Sequence, residues 1–184
     1  MGITPGPNNV MLTASGVNFG FRRSVPHMLG IALGFPVMVA AIGLGLGGIF
    51  EAYPQIHEIL KYFGIAYLLW LAWKIATAGR TEDTGTEARP LNFLQAAGFQ
   101  WVNPKGWVAA MGAIATYTTL HGDVVQEVFL IAAVFGLVTI PCITIWTLFG
   151  TAIRRLLRSD RARTLFNGSM AALLVASLVP ILFS

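Results

Sequence analysis

Charged side chains are scarce in this sequence of 184 residues: Asp, Glu, Lys and Arg make up 11% of it, against about a quarter in soluble domains. Hydrophobic residues account for 55%, and the mean hydropathy is +0.69. So few charges cannot cover a surface that faces water. The apolar residues come in blocks of about 20, the length that a helix needs to cross a bilayer. The composition therefore predicts an all-α protein embedded in a lipid bilayer.

Cysteine is also scarce, because Cys142 is the single one, so neither a disulfide framework nor a redox thiol pair can form. Carboxylates are missing from the interiors of the predicted spans. The histidines, His27, His57 and His121, share no spacing typical of metal ligands. These absences count against a metal-ion exporter and against the usual carboxylate proton relay. The sequence predicts no metal site and no cofactor.

Six membrane spans are predicted, at about 1–18, 27–50, 56–78, 92–119, 127–153 and 164–183. Pro5 and Pro7 prevent regular helix before about Asn8. The first span is therefore predicted to be broken and shortened, with its first half preceding residue 1 or reduced in length. The glycine run from Gly43 to Gly48 has some likeness to a dinucleotide-binding fingerprint. It lies in an unbroken apolar span with no strand before it, so no nucleotide site is predicted.

Basic residues alternate between the connectors that join the predicted spans. Arg22 and Arg23 follow the first span, and a cluster from Arg154 to Arg163 follows the fifth, whereas the fourth connector has neither Lys nor Arg. By the positive-inside rule, the odd-numbered connectors are cytoplasmic and the C-terminus lies outside the cytoplasm. Membrane orientation, and not nucleic-acid binding, explains the net charge of +4.

The chain is predicted to be one transmembrane domain with two related halves, at about 1–78 and 92–184, joined by a polar cytoplasmic linker at about 79–91. The opening helix of each half carries a proline next to an asparagine, at Asn8 and at Asn103. Corresponding interruptions in two three-helix halves are typical of an inverted-repeat transporter with its site near the bilayer midplane. A 3+3 inverted repeat is the predicted architecture.

The two interruptions supply the predicted substrate-binding site. Proline leaves the carbonyl four residues back without its donor, and such carbonyls suit a substrate ammonium group. Those carbonyls belong to Met1, Ile3 and Gln100. The helix that restarts after Pro7, with Asn8 or Asn9 as its cap, would attract a carboxylate. A proline kink held by neighbouring helices is the alternative for either motif alone; the pair favours a site.

Lys105 is the one ionisable residue predicted near the membrane centre, about 18 Å along the fourth span. It is expected to pair with the substrate carboxylate or to release the coupling proton, unless the span shifts so that the side chain reaches the interface. The candidate substrate-binding residues are Pro5, Gly6, Pro7, Asn8, Asn9, Gln100, Asn103, Pro104 and Lys105.

Five segments together resemble the LysE/RhtB family of amino-acid exporters: ITPGPNN at 3–9, GFRR at 20–23, LGIALG at 29–34, AYLLWLAWK at 66–74 and FQWVNPK at 99–105. The likeness covers nearly the whole chain and is nearest to the neutral amino-acid or cysteine/O-acetylserine efflux branch. It implies six helices and no enzymatic activity. It also implies secondary active efflux of an amino acid or derivative across the bacterial inner membrane, coupled to the proton gradient.

Two other classes of protein stay open at this point. One is a metal-ion exporter, which the carboxylate-free spans disfavour. The other is a non-transporting membrane subunit with a structural or redox role, and the lone Cys142 argues against the redox variant. The sequence does not identify the substrate side chain, and a homo-oligomer is compatible with it.

Overall fold

The computed structural model describes residues 3–46, 48, 52–78, 89–119, 122–157 and 159–179. Within these ranges the chain is helical and forms no strand, which confirms the all-α prediction. The α-helices of the described chain are α1 Pro7–Phe19, α2 Phe21–Ala41, α3 Pro54–Thr77, α4 Phe93–Gln100, α5 Pro104–Tyr117, α6 Val124–Leu156 and α7 Asp160–Ala176.

Three helical segments of the described chain are long and apolar enough to cross a membrane. They are Phe21–Leu46, Glu58–Thr77 and Val124–Leu156, and they correspond to the second, third and fifth predicted spans. The first predicted span contains the 13-residue helix α1, the fourth is divided into α4 and α5, and α7 has 17 residues. Most of the predicted linker, residues 79–88, lies outside the described residues. The number of six spans therefore stays a prediction.

Large apolar side chains cover the outer faces of the helices. On α2, Leu33 and Val37 are 56% and 60% exposed, and on α6 Leu130 and Leu137 are 64% and 70% exposed. Leu33 and Val37 are one helical turn apart, and Leu130 and Leu137 are two turns apart, so each pair lies on one face of its helix. Lipid tails stabilise such a face, whereas water does not. These faces indicate a protein that sits in a membrane.

Glycines allow two pairs of helices to cross with their backbones in contact. A methyl group on Gly16 of α1 would collide with the backbone of α6, and one on Gly150 of α6 would collide with the backbone of α1. Gly30 and Gly34 of α2 lie in the same way against the backbone of α4. Close crossings of this kind are typical of helices that pack inside a membrane.

The helix pairings connect the two halves of the chain. α1 packs along α6, while α4 and α5 pack along α2, so each interrupted helix lies against the middle helix of the other half. α2 also packs on α6, and α3 packs on α7. The buried apolar cluster between them includes Leu12, Leu68 and Phe99. This arrangement places the starts of α1 and α5 side by side.

The apolar span around Gly43–Gly48 is not the unbroken helix that the sequence predicts. After α2 the chain forms a π-helical turn at Ile42–Leu46, in which Gly45 has a φ of 117°. Residues with a side chain rarely adopt this left-handed backbone region, whereas glycine adopts it at little cost because it has no Cβ. Gly45 therefore allows the distortion of the helix at this point.

Candidate substrate-binding site

Both predicted interruptions are present, and both are built in the same way. α1 begins at Pro7 after an extended Gly6, and α5 begins at Pro104 after an extended Asn103. Proline suits the first position of a helix, since its fixed φ is helical and its missing N–H would have no partner there. The helix that restarts after Pro7 is as the sequence predicts, whereas the separate helix that begins at Pro104 is not, since the predicted fourth span continues through that proline.

The two interruptions contact each other through side-chain amides. Asn8 Nδ2 donates to Gln100 Oε1 at 2.8 Å, and Gln100 Nε2 donates back to Asn8 Oδ1 at 3.2 Å. Gln100 is fully buried, and its Nε2 also donates to the Ala96 carbonyl at 2.8 Å. This reciprocal pair joins residues 92 positions apart in the sequence.

Lys105 makes the second connection between the interruptions. Its Nζ donates to the Thr4 carbonyl at 2.9 Å, to Thr4 Oγ1 at 2.7 Å and to the Pro5 carbonyl at 3.1 Å. Gly6 makes room for this side chain, because a methyl group there would lie 2.7 Å from Lys105 Cδ. The half-buried ammonium is therefore held by backbone oxygens of the first interruption.

The predicted unpaired carbonyls are not found at the predicted positions. The Gln100 carbonyl accepts from the backbone amide of Asn103 at 3.2 Å, because the chain tightens into a turn between α4 and α5. The Ile3 carbonyl accepts from Trp146 Nε1 at 3.3 Å, and Met1 lies outside the described residues. The prediction is wrong for Gln100 and Ile3, since a nearby turn and a distant tryptophan supply the donors that proline removes.

The prediction that Asn8 or Asn9 caps the first helix is also wrong. Pro7 occupies the first helical position, so Gly6 takes the capping position and offers no side chain. Both asparagines lie inside α1, where Asn9 Nδ2 donates back to the Thr4 carbonyl at 2.9 Å.

The continuous fourth span along which the depth of Lys105 is predicted is also wrong, while the place of Lys105 near the membrane centre stays a prediction. α4 ends at Gln100, and Lys105 is the second residue of the separate helix α5. The turn at residues 101–103 breaks the helix, so a rise of 1.5 Å per residue cannot be counted from Phe93.

A cavity of about 430 Å³ lies between the two interruptions. It is lined by six of the nine candidate residues, namely Gly6, Pro7, Asn8, Asn9, Asn103 and Lys105. The other three do not line it: Pro5 offers its carbonyl to Lys105, Gln100 supports Asn8, and Pro104 starts α5. The volume lies in the range of cavities that bind small molecules.

The rest of the cavity wall is largely apolar and was not predicted from the sequence. Phe35 of α2 and Phe135 of α6 pack edge to face there, with ring centroids 5.3 Å apart. Thr139, Cys142 and Tyr117 add polar or polarisable atoms. Helical spacing places residues 135, 139 and 142 on one face of α6, but that spacing does not distinguish a cavity from lipid.

Asn103 is the one lining side chain with a buried and unpaired acceptor among the described residues. It is 4% exposed, and its Oδ1 has no hydrogen-bond partner within the described chain. Buried polar atoms nearly always have a partner, so an unpaired one in a cavity wall indicates an atom that a ligand can pair.

A helical bundle with lipid-facing apolar surfaces, and a cavity between two interrupted helices, has the architecture of a membrane transporter. The chain matches the LysE type translocator family over residues 1–179 and belongs to that family. It is a transporter and not an enzyme.

Curated relatives agree with this assignment. The cysteine/O-acetylserine efflux proteins of Escherichia coli (strain K12), Shigella flexneri and Shigella sonnei (strain Ss046) are each 33% identical to it. Each alignment covers 98% of this chain and 91% of the relative. No solved structure matches the chain.

Proposed function

We propose that this protein exports a small neutral amino acid, or a derivative such as O-acetylserine, from the bacterial cytoplasm by secondary active transport. The observation that carries the proposal is the cavity between the two interruptions, which combines the ammonium of Lys105 and the unpaired acceptor of Asn103 with apolar walls. The names of the efflux relatives give the substrate class.

The cavity holds groups that suit both charges of a zwitterion. The ammonium of Lys105 can pair with a substrate carboxylate by a charge-assisted hydrogen bond. When it turns toward the carboxylate, it leaves the Thr4 and Pro5 carbonyls, which then suit the substrate ammonium. Asn103 Oδ1 offers one more acceptor. On substrate binding, the substrate ammonium thus replaces the Lys105 ammonium at the Thr4 and Pro5 carbonyl oxygens.

The cavity walls favour a small and uncharged substrate side chain. Within the described lining, Lys105 is the only Lys, Arg, Asp or Glu residue. A basic substrate side chain would lack a carboxylate partner, and an acidic one would have to share Lys105 with the α-carboxylate. Phe35, Phe135 and Val138 instead offer apolar contact.

The topology follows the charge alternation: six helices as a 3+3 inverted repeat in one domain, in the bacterial inner membrane, with the C-terminus outside the cytoplasm. Contacts between distant helix ends support it. Asn18 near the end of α1 pairs with Asn167 of α7, whose Nδ2 also donates to the carbonyl of Ala78 after α3. The ends that the positive-inside rule assigns to the cytoplasm thus meet. The substrate cavity extends toward Tyr117, at the other end of α5, and therefore opens outward.

The driving ion of this proposal is the proton, with Lys105 as its carrier. In this role, which replaces charge pairing, Lys105 releases its proton to the cytoplasm as the substrate binds, because the two ammonium groups compete for the same carbonyl oxygens, and it takes up a proton from the outside after the substrate leaves. Imposing a pH gradient on vesicles tests this: uptake into inside-out vesicles should accelerate when the lumen is acidic.

The decisive experiment is counterflow in proteoliposomes across a panel of labelled amino acids. Cysteine, O-acetylserine and other small neutral amino acids should exchange, while lysine, arginine and glutamate should not. Cobalt and zinc ions serve as the panel for the competing metal-ion exporter. Exchange of metal ions alone, or of no amino acid at all, would contradict the proposal.

The lone cysteine tests the outward orientation of the cavity. Cys142 lines the cavity, so a membrane-impermeant maleimide added outside intact cells should label it, and saturating substrate should slow the labelling. A Cys142→Ser variant gives the unlabelled background. Labelling from the cytoplasmic face only would reverse the proposed orientation.

A further inference from the structure

A second and smaller cavity lies at the end of the bundle where α1 and α3 end. It encloses about 80 Å³, and its walls include Met11, Ser15, His27, Lys74 and Arg89. The lining is largely apolar, with polar side chains from Ser15, Asn18 and His27, and a cavity of this size can hold a few water molecules or a small polar group beside them. The substrate cavity between the interruptions does not include it.

His27 in this cavity has one nitrogen without a partner. The ring is 1% exposed, its Nδ1 lies 3.1 Å from Ser15 Oγ, and its Nε2 has no hydrogen-bond partner within the described chain. The described residues give the Ser15 hydroxyl no other acceptor, so we assign its hydrogen to Nδ1. A neutral imidazole then carries its own hydrogen on Nε2. His27 is left as a buried donor that lacks an acceptor.

The charges around the cavity favour an anionic acceptor. Lys74 and Arg89 are in its wall, and the described lining contains no Asp or Glu. The Lys74 ammonium lies 4.8 Å from the centroid of the Trp70 ring in a cation–π contact. A carboxylate matches both this positive field and the Nε2 donor.

The two cavities are aligned along α1 and α2. On α1, Asn8, Met11 and Ser15 recur at intervals of three and four residues and so share one face; Asn8 lines the substrate cavity, and Ser15 lines the small one. On α2, Ile31 lines the substrate cavity, and His27, four residues earlier, lines the small one. Four residues of helix correspond to about 6 Å. The cavities are therefore about one helical turn apart.

Apolar side chains close the passage between the cavities. Met11 is 3% exposed and Ile31 is 1% exposed, and both belong to the buried cluster that contains Phe99. A charged substrate cannot cross such an apolar cluster unless the protein changes its conformation. The two cavities thus lie on one line through the protein, with the substrate cavity open and the small cavity separated from it by this apolar barrier.

We propose that the small cavity is the cytoplasmic entry site of the transport route, where the Nε2–H of His27 binds the carboxylate of the amino-acid substrate. The direction of this route rests on the function proposed above. Lys74 and Arg89 raise the local concentration of the anionic group. The substrate waits there until the Met11–Ile31 barrier opens.

The test measures the half-saturating concentration of labelled O-acetylserine separately at each membrane face. Maleimide added outside blocks the substrate cavity at Cys142 in the transporters whose outer face meets the medium, so exchange in the proteoliposomes is followed through the remaining molecules, which share one orientation. His27→Leu should raise the cytoplasmic value about tenfold, equivalent to about 1.4 kcal/mol, and leave the outer value unchanged. His27→Gln, which places an amide donor near the Nε2 position, should stay within about twofold of the parent.

Ser24→Ala is the matched control, because Ser24 is buried on the same helix, donates to the Gly20 carbonyl and lines neither cavity. Its values should equal those of the parent at both faces. Thermal unfolding in detergent checks that each variant folds. If His27→Leu does not fold, His27→Asn replaces it, since its shorter side chain also lacks a donor at the Nε2 position and predicts the same tenfold rise.

Two results would overturn the entry site: an unchanged cytoplasmic value in His27→Leu, or equal rises at both faces that His27→Gln does not reverse. The second result would assign His27 to packing. Failure of the parent protein to exchange any amino acid would instead contradict the proposed function, so the two failures are distinguishable.

Discussion

The two interruptions have a similar local backbone structure, but their backbone carbonyls have different hydrogen-bond partners. Each restarts a helix with proline in the first position, at Pro7 and at Pro104. In the second interruption, the Gln100 carbonyl is paired by a backbone amide three residues on. In the first, the Thr4 carbonyl accepts from Lys105 of the other interruption. The first interruption supplies carbonyl acceptors, and the second supplies the charge of Lys105 together with the Asn103 acceptor, so the site requires both.

Removal of the Lys105 charge should have the largest effect on transport. Lys105→Met should lower export about a hundredfold, equivalent to about 2.8 kcal/mol, because the carboxylate loses its partner. The protein should still fold, since Thr4 is exposed and water can reach its carbonyl. Counterflow measures the loss, and Lys61→Met, at a lysine outside the cavity, should export normally.

Lys105→Arg then separates the two roles proposed for this lysine. If charge pairing is the role, substrate binding persists; if proton release is the role, acceleration by a pH gradient disappears, since arginine does not deprotonate in proteins. Near-normal export by Lys105→Met would remove this residue from the mechanism.

Breaking the amide pair should affect stability next. Gln100→Leu leaves the Asn8 amide without its partner and should lower the free energy of unfolding in detergent by about 1–3 kcal/mol. Asn8→Leu combined with Gln100→Leu should recover part of that loss, which a double-mutant cycle measures.

Asn167→Leu is the matched control, because Asn167 forms the same reciprocal amide pair with Asn18 and lines neither cavity. It should also lower stability, yet bound substrate should still raise its melting temperature as it does in the parent. Strict additivity of Asn8→Leu and Gln100→Leu would argue that the two interruptions are independent.

The capping asparagine of the second interruption should give a smaller effect, and on binding alone. Asn103→Leu should raise the half-saturating concentration about tenfold, equivalent to about 1.4 kcal/mol. Stability should not fall, because the substitution removes an acceptor that is already unpaired.

Asn92→Leu should give the reverse pattern. Asn92 caps α4 through a reciprocal capping box, so its loss costs about 0.5–2 kcal/mol of stability. It lies outside the cavity, so the half-saturating concentration should not change. Loss of stability in Asn103→Leu would show that Asn103 has a structural role instead.

The smallest effect is expected at the glycine that receives Lys105. Gly6→Ala should shift the lysine side chain and lower export about threefold, equivalent to about 0.7 kcal/mol. Gly98→Ala, where a methyl group meets no atom within 4 Å, is the control and should export normally. Equal export by both variants would show that the contact between Gly6 and Lys105 does not matter for transport.

The sequence predicted where the two interruptions fall but not their partners. Proline has a fixed φ and no backbone N–H, so local chemistry alone indicates a break in the helix at Pro7 and at Pro104. At the second interruption the donor for the Gln100 carbonyl is local, whereas the donors at the first interruption come from far along the chain. Trp146 serves the Ile3 carbonyl from 143 residues away, and Lys105 serves Thr4 from 101 residues away. Local rules do not specify such contacts.

The apolar walls of the cavity could not be predicted for a different reason. On α6, Leu137 is 70% exposed toward the lipid side, while Phe135 lines the cavity. Both surroundings accept an apolar side chain, so hydropathy is equal on the two faces of a membrane helix. Only the packing of α6 against α1 and α2 decides which face is which.

The glycine crossings have a consequence for how this chain tolerates variation. Gly16, Gly30, Gly34 and Gly150 touch a neighbouring backbone, which cannot step aside as a side chain can. In a deep mutational scan these four positions should reject even alanine, although none of them lines either of the two cavities described above. Intolerance there would mark the architecture and not the substrate, so a map of the site drawn from tolerance scores must exclude them.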